Sequence, residues 1–294
     1  MPFNELVLAD GDTPAVMEAV IKAMNDFRWE ILDNLKLSLE YHTEQLEEIK
    51  YHVEHVIHEQ ENRMKKENLE IQRILGELLP GSCTQVKTNT TRAFYINPYG
   101  NIEKPFMVLC NFDNHFNLGG GWTVFQRRMD GSVDFRRNWT MYKHGFGDVS
   151  GEHWLGLEKL HIMTRSGRNE LLVLLEDFEG NSTYALYDEF KIGSEVEKYK
   201  LIFGNYTGTA NDNFSYHNGT KFSTWDQDND QSGKRNCADQ YNGAWWFKSC
   251  YISHLNGRYY QKGNHLNKTG VHWTDFPQYK YSLKSTTMMF RSRT

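Results

Sequence analysis

Three aspartates occupy alternate positions in one short stretch of the chain, at Asp226, Asp228 and Asp230. Carboxylates this close repel one another unless a positive charge lies among them, and Ca²⁺ with its six to eight oxygen ligands meets that need. The stretch begins like a helix-loop-helix calcium loop, with Ser232 at the seventh position, but the glycine at the sixth position is missing and Cys237 replaces the last glutamate. The spacing predicts a calcium loop of another build, and the alternative is a solvated acidic turn.

No motif for catalysis accompanies this stretch. The sequence holds no Gly-x-Ser-x-Gly, no His-Glu-x-x-His and no phosphate-binding glycine loop before a helix. The three glycines at 119–121 precede a strand-like segment, so we interpret them as a turn. The twelve histidines show no metal-ligand spacing. Because an enzyme needs a positioned nucleophile or an acid–base pair, the sequence predicts a protein that is not an enzyme.

The charge and hydropathy of the chain exclude two classes of partner. Over 294 residues the formal net charge is −5 at pH 7, which does not indicate the basic surface that nucleic acids require. No apolar run reaches the length of about 20 residues that a membrane-spanning helix needs. We therefore expect neither nucleic-acid binding nor a membrane span.

Cysteines and glycosylation sequons indicate an extracellular protein. All four cysteines lie after residue 80 and none forms a Cys-x-x-Cys pair of the kind that binds zinc, while counting alone leaves three possible disulfide connectivities. The start of the sequence has no basic or apolar signal segment, so we interpret it as a mature chain with an initiator methionine. Paired cysteines beside many sequons predict a secreted glycoprotein, and the alternative is a cytosolic protein. The seven predicted glycosylation sites are Asn89, Asn138, Asn181, Asn205, Asn213, Asn218 and Asn267.

A long helix is predicted ahead of this region. After a loose arm at 1–14, residues 15–79 hold no proline and no glycine before Gly76, and they end at Pro80-Gly81. Apolar residues repeat every seven positions, which predicts a coiled-coil stalk roughly 95 Å long. The repeating positions are Leu32, Leu39, Leu46 and Val53, with Leu35, Ile49 and Val56 at the complementary positions and His42 as the polar exception.

The apolar stripe continues on both sides in shifted registers. One helix cannot cover such a stripe, so we expect homo-oligomers, and they must be held without a disulfide because no cysteine lies in 15–79. The alternative is that the helix folds against its own globular domain, and the number of strands stays open. Upstream the stripe uses Val20, Met24, Phe27 and Ile31, and downstream, four residues out of step as after a stutter, it uses Ile57, Met64, Ile71 and Leu78.

From residue 82 the chain changes to short segments rich in aromatic residues, glycine and asparagine. Their β-branched and aromatic content predicts strands at 92–96, 106–110, 122–128, 169–178, 183–192 and 285–291, and we predict a helix at 152–161. Residues 205–264 are rich in loops, and a connection this long inside a compact domain is usually functional. The pattern predicts an α+β protein, with a helical stalk before a globular domain.

Separated motifs in this second part, taken together, resemble the fibrinogen-like domain, and the match covers 82–294. The resemblance implies a mainly antiparallel sheet, short helices and a loop-rich subdomain for calcium and ligand. A coiled-coil stalk before such a domain is most similar to invertebrate fibrinogen-related proteins, and angiopoietin-type ligands share the plan. The motifs are the Gly-Gly-Gly-Trp-Thr-Val-Phe-Gln-Arg-Arg stretch from Gly119, then Trp154-Leu-Gly-Leu, Trp225-Asp-Gln-Asp-Asn-Asp, Asn236-Cys-Ala, Trp245-Trp246, Cys250 and Leu255-Asn-Gly-Arg-Tyr-Tyr.

The resemblance also implies a disulfide pairing and a calcium site. It pairs Cys83 with Cys110 and Cys237 with Cys250. It assigns calcium to Asp228 and Asp230, with Asp226 only shaping the loop and loop carbonyls and water completing the shell. The carbonyl donors stay open: counting forward from Asp230 indicates Ser232 and Lys234, and counting back from Cys237 indicates Gly233 and Arg235.

Similar domains hold ligands in a pocket beside the second cysteine of this loop. The bond before that cysteine is often cis, here Ser249–Cys250, and it would aim backbone N–H groups at a ligand carbonyl or carboxylate. Tyr241 and Tyr279 fit a wall against an acetyl methyl or a sugar ring, although both could instead be ordinary core or surface aromatics. Tyr251, Asn267 and Lys268 depart from the pattern of the acetyl-binding lectins, and Lys268 favours an acidic ligand such as sialic acid. The implied ligand-binding residues are Tyr241, Ser249, Cys250, Tyr251, Asn267, Lys268 and Tyr279, with Trp245 and Trp246 expected in the core.

These expectations combine into one functional hypothesis and one alternative. The hypothesis is a secreted, calcium-dependent pattern-recognition lectin of innate immunity that binds carbohydrates, or acetylated or acidic groups, on microbial or parasite surfaces. Several heads on one stalk would multiply the affinity of a weak site. The alternative is an extracellular signalling or matrix ligand that binds a receptor protein through the same loop-rich face.

Overall fold

The fold is given by a computed structural model of the chain, which describes residues 13–98, 105–263, 268–278 and 281–293. Its first element, helix α1, spans Thr13–Leu78, so the prediction of one long helix ending before Pro80 is confirmed. Its 66 residues extend about 100 Å at 1.5 Å per residue. Residues 1–12 of the predicted arm lie outside the described residues, and Pro14 already belongs to the first turn of α1, where a missing N–H costs nothing.

The apolar stripe of α1 is exposed. Leu39 is 70% exposed, Leu46 is 66% exposed and Ile49 is 58% exposed. The boundary between the two compact units of the chain falls between Ile71 and Gln72, inside α1. A stripe of this size in contact with water is unfavourable by about 25 cal/mol for each Å² of apolar surface, so it favours association with other helices.

The globular part is built on one antiparallel sheet. In the described part of the chain this sheet has nine strands, which are β1 Arg92–Ile96, β2 Phe106–Asn111, β3 Trp122–Arg128, β4 Phe146–Gly147, β5 His153–Trp154, β6 Arg168–Glu176, β7 Ser182–Tyr187, β10 Tyr206–Gly208 and β13 Ser285–Arg293. Their order in the sheet is β1-β2-β3-β13-β6-β7-β10, with β5 paired to β3 and β4.

Shorter elements surround the sheet. Two small antiparallel pairs join β8 Lys191–Ile192 to β9 Leu201–Ile202 and β11 Ser253–His254 to β12 His272–Trp273. The described globular residues also form three α-helices, α2 Trp139–His144, α3 Leu157–Thr164 and α4 Cys237–Gln240, and three short 3-10 helices at Cys83–Gln85, His115–Asn117 and Ser215–His217. Much of the described part of 205–264, up to residue 263, is irregular, as predicted, and it carries the candidate site.

Both faces of the sheet are buried, which explains why the central strands are apolar throughout. Along β6, Leu171 and Val173 face the main core, whereas Leu172 packs in a smaller cluster on the other face with Trp122 and Val124. The last strand, β13, lies between β3 and β6 and pairs with both, so the strand predicted at 285–291 belongs to the middle of the sheet.

The helix predicted at 152–161 is wrong in its first part. Trp154 pairs with Gln126 as part of β5, and Glu152 turns its carboxylate to the backbone N–H groups of the loop that follows β3. Helix α3 begins only after Gly156, whose φ of +115° suits glycine and whose added Cβ would lie 2.8 Å from the backbone of His144. The predicted strand at 183–192 is likewise split into β7 and β8, with Glu189 at a φ of +55° between them.

Candidate functional site

The aspartate stretch begins in a tight turn that is anchored to the rest of the domain. Thr224 and Gln227 exchange backbone hydrogen bonds of 3.0 and 3.2 Å, so Trp225 and Asp226 form the tip of the turn. Asp226 Oδ1 accepts hydrogen bonds from Thr224 Oγ1 at 2.7 Å and from the backbone N–H of Trp139, at the start of α2, at 3.0 Å. In this structure Asp226 therefore shapes the loop.

Asp228 and Asp230 lie together beyond the turn. The backbone N–H of Asp230 donates to Asp228 Oδ1 at 3.1 Å. The two oxygens of Asp230 accept from the N–H of Ser232 at 2.7 Å and of Cys237 at 2.8 Å. Burial of the Asp230 carboxyl raises its pKa, and the charge of Asp228 acts in the same direction. A cation between these carboxylates would relieve both effects.

The oxygen donors around this pair fit a calcium ion. Across the described residues no three or more His, Cys, Asp or Glu side chains come close enough to share a metal, so further ligands would be carbonyls and water. No hydrogen bond of the described residues ends on a carbonyl oxygen of 232–235, and the space around Gly233 is open. The choice between the two candidate pairs, Ser232 with Lys234 and Gly233 with Arg235, stays a prediction.

A disulfide connects the aspartate loop, residues 226–237, to the candidate ligand segment, residues 249–251. Cys237 and Cys250 are bonded, with their Cα atoms 5.6 Å apart, and Cys83 pairs with Cys110. Both pairings implied by the resemblance are present. The Ser249–Cys250 peptide bond is cis, also as implied. Cys237 therefore donates its N–H to Asp230 and bonds through sulfur to the residue before Tyr251.

The structure brings three of the predicted ligand residues together. The rings of Tyr241 and Tyr251 meet edge to face with centroids 4.8 Å apart. The Tyr251 hydroxyl donates to the backbone carbonyl of Lys268, whose side chain is exposed. Ser249 is exposed and Cys250 is 6% exposed, so the segment presents its backbone more than its sulfur. Asn267 and Tyr279 lie outside the described residues.

A buried histidine behind these tyrosines had not been predicted. The ring of His254 lies 5.4 Å from that of Tyr251 and 5.0 Å from that of Phe247, and burial lowers the pKa of His254 to about 3. A second buried histidine, His217, donates its Nδ1–H to the Trp246 carbonyl, 2.7 Å away, and burial lowers its pKa to about 3 as well. Nothing in the residue spacing distinguishes these two histidines from exposed ones.

The remaining predicted residues separate by burial. Trp245 and Trp246 are fully buried, which confirms their place in the core. Asn213 is only 5% exposed, so the folded domain leaves no room for a glycan there and the prediction for this sequon is corrected. Asn138 is half-buried and caps α2 by accepting from Met141 N–H at 3.0 Å. Glycosylation stays a prediction at the exposed sequons Asn89, Asn181, Asn205 and Asn218, and Asn267 lies outside the described residues.

The sheet, the two disulfides and the cis peptide beside a carboxylate loop define one class of protein. A family model of the C-terminal globular domain of fibrinogen beta and gamma chains matches residues 81–293. The chain belongs to this fibrinogen C-terminal domain family.

Known proteins similar to the chain include a curated protein and several solved structures. Fibrinogen C domain-containing protein 1 of Xenopus tropicalis is 45% identical over 192 residues, which are 63% of this chain and 41% of that protein. The chain thus spans less than half the length of this relative. The fibrinogen-like globe of human ANGPTL2 has a TM-score of 0.69 at 41% identity, covering 73% of this chain and all of that one.

A third similar structure extends over more of the chain. Lamprey fibrin D-dimer, described as complexed with the peptide ligand Gly-His-Arg-Pro-amide, has a TM-score of 0.66 at 30% identity and covers 94% of this chain and 96% of that one. Fibrinogen-like domains are non-enzymatic binding proteins that are typically extracellular. No helix within the described ranges is long and apolar enough to cross a bilayer.

Proposed function

We propose that the chain is a secreted, calcium-dependent pattern-recognition lectin of innate immunity. Its ligands are acidic or acetylated glycans on microbial or parasite surfaces. Its binding surface is formed by the segment around Cys250, with Tyr241, Tyr251 and Lys268. This surface takes the terminal sugar of the glycan.

One observation carries this proposal: the link through Cys237. This residue gives its N–H to Asp230 on one side and its sulfur to Cys250 on the other. A cation that orders the aspartate loop would therefore act on a residue that is covalently bonded to the ligand segment. The disulfide links the binding surface covalently to the calcium loop. This link supports ligand binding that depends on calcium, rather than a calcium ion with a purely structural role.

The residues present suggest the chemistry of the ligand. Tyr241 and Tyr251 offer aromatic surface against the apolar side of a sugar or an acetyl methyl group. Lys268 adds an exposed positive charge beside Tyr251, which favours a carboxylate. Calcium, when bound, would supply a positive charge that offsets the repulsion between the Asp228 and Asp230 carboxylates. Sialic acid combines a carboxylate with an acetamido group and is the simplest sugar that uses all of these features.

The exposed stripe of α1 supports a multivalent form of the protein. Its heptad-spaced leucines would pack against copies of the same helix and so gather several globular domains. A shallow site of low affinity becomes effective on a repetitive surface through such effective concentration.

The experiment is a glycan array probed with the full-length oligomer in calcium and in excess chelator. We expect binding to sialylated or N-acetylated glycans in calcium and loss of signal in chelator. Binding to the array that is equal in both conditions contradicts calcium dependence, and absence of any glycan signal contradicts the lectin.

A second candidate function is favoured by the similar structures. ANGPTL2 and ANGPTL6 globes resemble this domain, and the lamprey D-dimer is described with a peptide ligand. The chain would then be an extracellular signalling or matrix ligand whose loop-rich face meets a receptor protein. High-affinity binding of one protein by the chain, with no glycan signal, would support this function instead.

A further inference from the structure

The tryptophans of the globular domain divide into six that are buried and one that is not. Trp225, at the tip of the turn before the aspartate loop, is 46% exposed. Within the described residues its ring makes no stacking or cation contact. The other six, at most 7% exposed, are Trp122, Trp139, Trp154, Trp245, Trp246 and Trp273.

The turn that carries Trp225 is held from two sides. Asp226 ties it to Thr224 and to the start of α2, as described above. On the other side Asn236 Nδ2 donates to the carbonyls of Thr224 at 3.3 Å and Trp225 at 3.1 Å. Turn tips ordinarily favour small polar residues, so neither the turn nor the core calls for an indole here. A large aromatic side chain kept in a fixed, solvent-facing position is typical of a contact residue.

Trp225 and the tyrosine site lie at opposite ends of the same short helix. Asn236, which holds the Trp225 carbonyl, is the N-cap of α4, and Tyr241 is its C-cap. The four residues of α4 span about 6 Å at 1.5 Å per residue. The residue that anchors Trp225 and Tyr241 are therefore about one helical turn apart, so we expect a short oligosaccharide rather than a single sugar to extend from one to the other.

The surface along α4 is polar. Arg136 pairs with Asp239 of α4 at 2.8 Å, and their side chains are 48% and 62% exposed. Asp226 and Asn236 lie on either side of the turn. The core of a protein interface is depleted of charged residues, whereas hydroxyl groups of a sugar need donors and acceptors of this kind beside an aromatic face. The composition of this surface therefore favours a glycan over a protein.

We propose that Trp225 forms a second sugar subsite, which stacks against a pyranose ring of a glycan whose terminal unit occupies the Tyr241 and Tyr251 site. This inference rests on the proposed lectin function. It specifies the length of the ligand, because an oligosaccharide is needed to contact both subsites at once. It also assigns Trp225 as the residue that selects extended glycans over single sugars.

The test uses the full chain in calcium with two soluble probes, free N-acetylneuraminic acid and a sialylated trisaccharide. The background variant is Trp29→Phe, because Trp29 in α1 is the other exposed tryptophan, at 61%. We expect the trisaccharide to protect Trp225 from acrylamide quenching and to bind about tenfold more tightly than the monosaccharide, which corresponds to about 1.4 kcal/mol. Trp225→Ala should remove this tenfold preference, and Trp225→Tyr should keep part of it.

The matched control is Tyr95→Ala, which removes another exposed aromatic, at 54%, from strand β1 and should leave the preference unchanged. Equal affinities of the two probes for the wild type, or an undiminished preference in Trp225→Ala, would overturn the second subsite while leaving the lectin proposal intact. Absence of binding by both probes would overturn the two together. A protein partner lost in Trp225→Ala, without any sugar binding, would replace the subsite by a protein interface.

Discussion

The calcium loop can be tested through the melting temperature of the protein, with Asp228 and Asp230 changed together to alanine. At free calcium one hundred times above its Kd, binding stabilises the folded state by about 2.7 kcal/mol. For a domain of this size 1 kcal/mol moves the Tm by about 2–4 °C, so excess chelator should lower the wild-type Tm by about 5–11 °C. The double variant has lost the carboxylate ligands and should melt at the same temperature in both conditions.

The structure also predicts the behaviour of the double variant without calcium. Asp230 accepts hydrogen bonds from Ser232 and from the part-buried N–H of Cys237, and the loss of one such charged hydrogen bond costs about 1.5–3 kcal/mol. In chelator the double variant should therefore melt several degrees below the wild type. The measurement is thermal unfolding of the full chain by circular dichroism, with the same samples tested on the glycan array.

Asp226→Ala is the matched control for this experiment. Asp226 bonds to Thr224 and Trp139, so its removal should lower the Tm in calcium and in chelator by a similar amount and preserve the difference between them. A wild-type protein that melts at one temperature with and without calcium would refute the loop as a calcium site. A calcium shift lost in Asp226→Ala but kept in the double variant would place the ion elsewhere.

Three further predictions concern other parts of the chain. Changing Leu39 and Leu46 to aspartate should give monomers by light scattering, and persistent oligomers would contradict the stalk. Folding holds the pKa of His254 at about 3, below the ordinary value of 6.5, so the unfolded state binds more protons and stability should fall as the pH drops from about 6.5 towards 3. His254→Phe should reduce this slope in urea unfolding measured at several pH values, with His217 supplying the remainder, and an unchanged slope would count against the buried ring. Glycopeptide mapping should find a glycan at exposed Asn89 and none at buried Asn213. A glycan at Asn213 would contradict the burial of this side chain in the folded domain.

Regular elements were predictable where local pattern and tertiary environment agree. The predicted strand bounds at 92–96 and 122–128 match β1 and β3 because their β-branched and aromatic content agrees with their place in the sheet. The helix at 152–161 failed because cross-strand pairing of Trp154 with Gln126, 28 residues away, outweighs a local helical pattern. Such long-range pairing leaves no local signal in the sequence.

The residues of the candidate calcium site could be predicted from the sequence, but which of the surrounding side chains are exposed or buried could not. The aspartates at 226, 228 and 230 stand out by spacing, and the structure adds that the first of them serves the turn. Trp225 was missed because a tryptophan in an aromatic-rich domain normally belongs to the core, as its six companions do. The burial of His254 was missed because histidine has no strong preference for the core or the surface, so its sequence position carries no signal of burial.

The position of β13 has a consequence for the order in which the protein matures. This strand follows all others along the chain, yet it fills the gap between β3 and β6. Until it emerges from the ribosome, two apolar strands have unpaired edges that invite aggregation. The α1 segment is synthesised long before, and its local hydrogen bonds form fast. Folding of α1 therefore precedes closure of the sheet, and the edges of β3 and β6 stay open until the last strand is made.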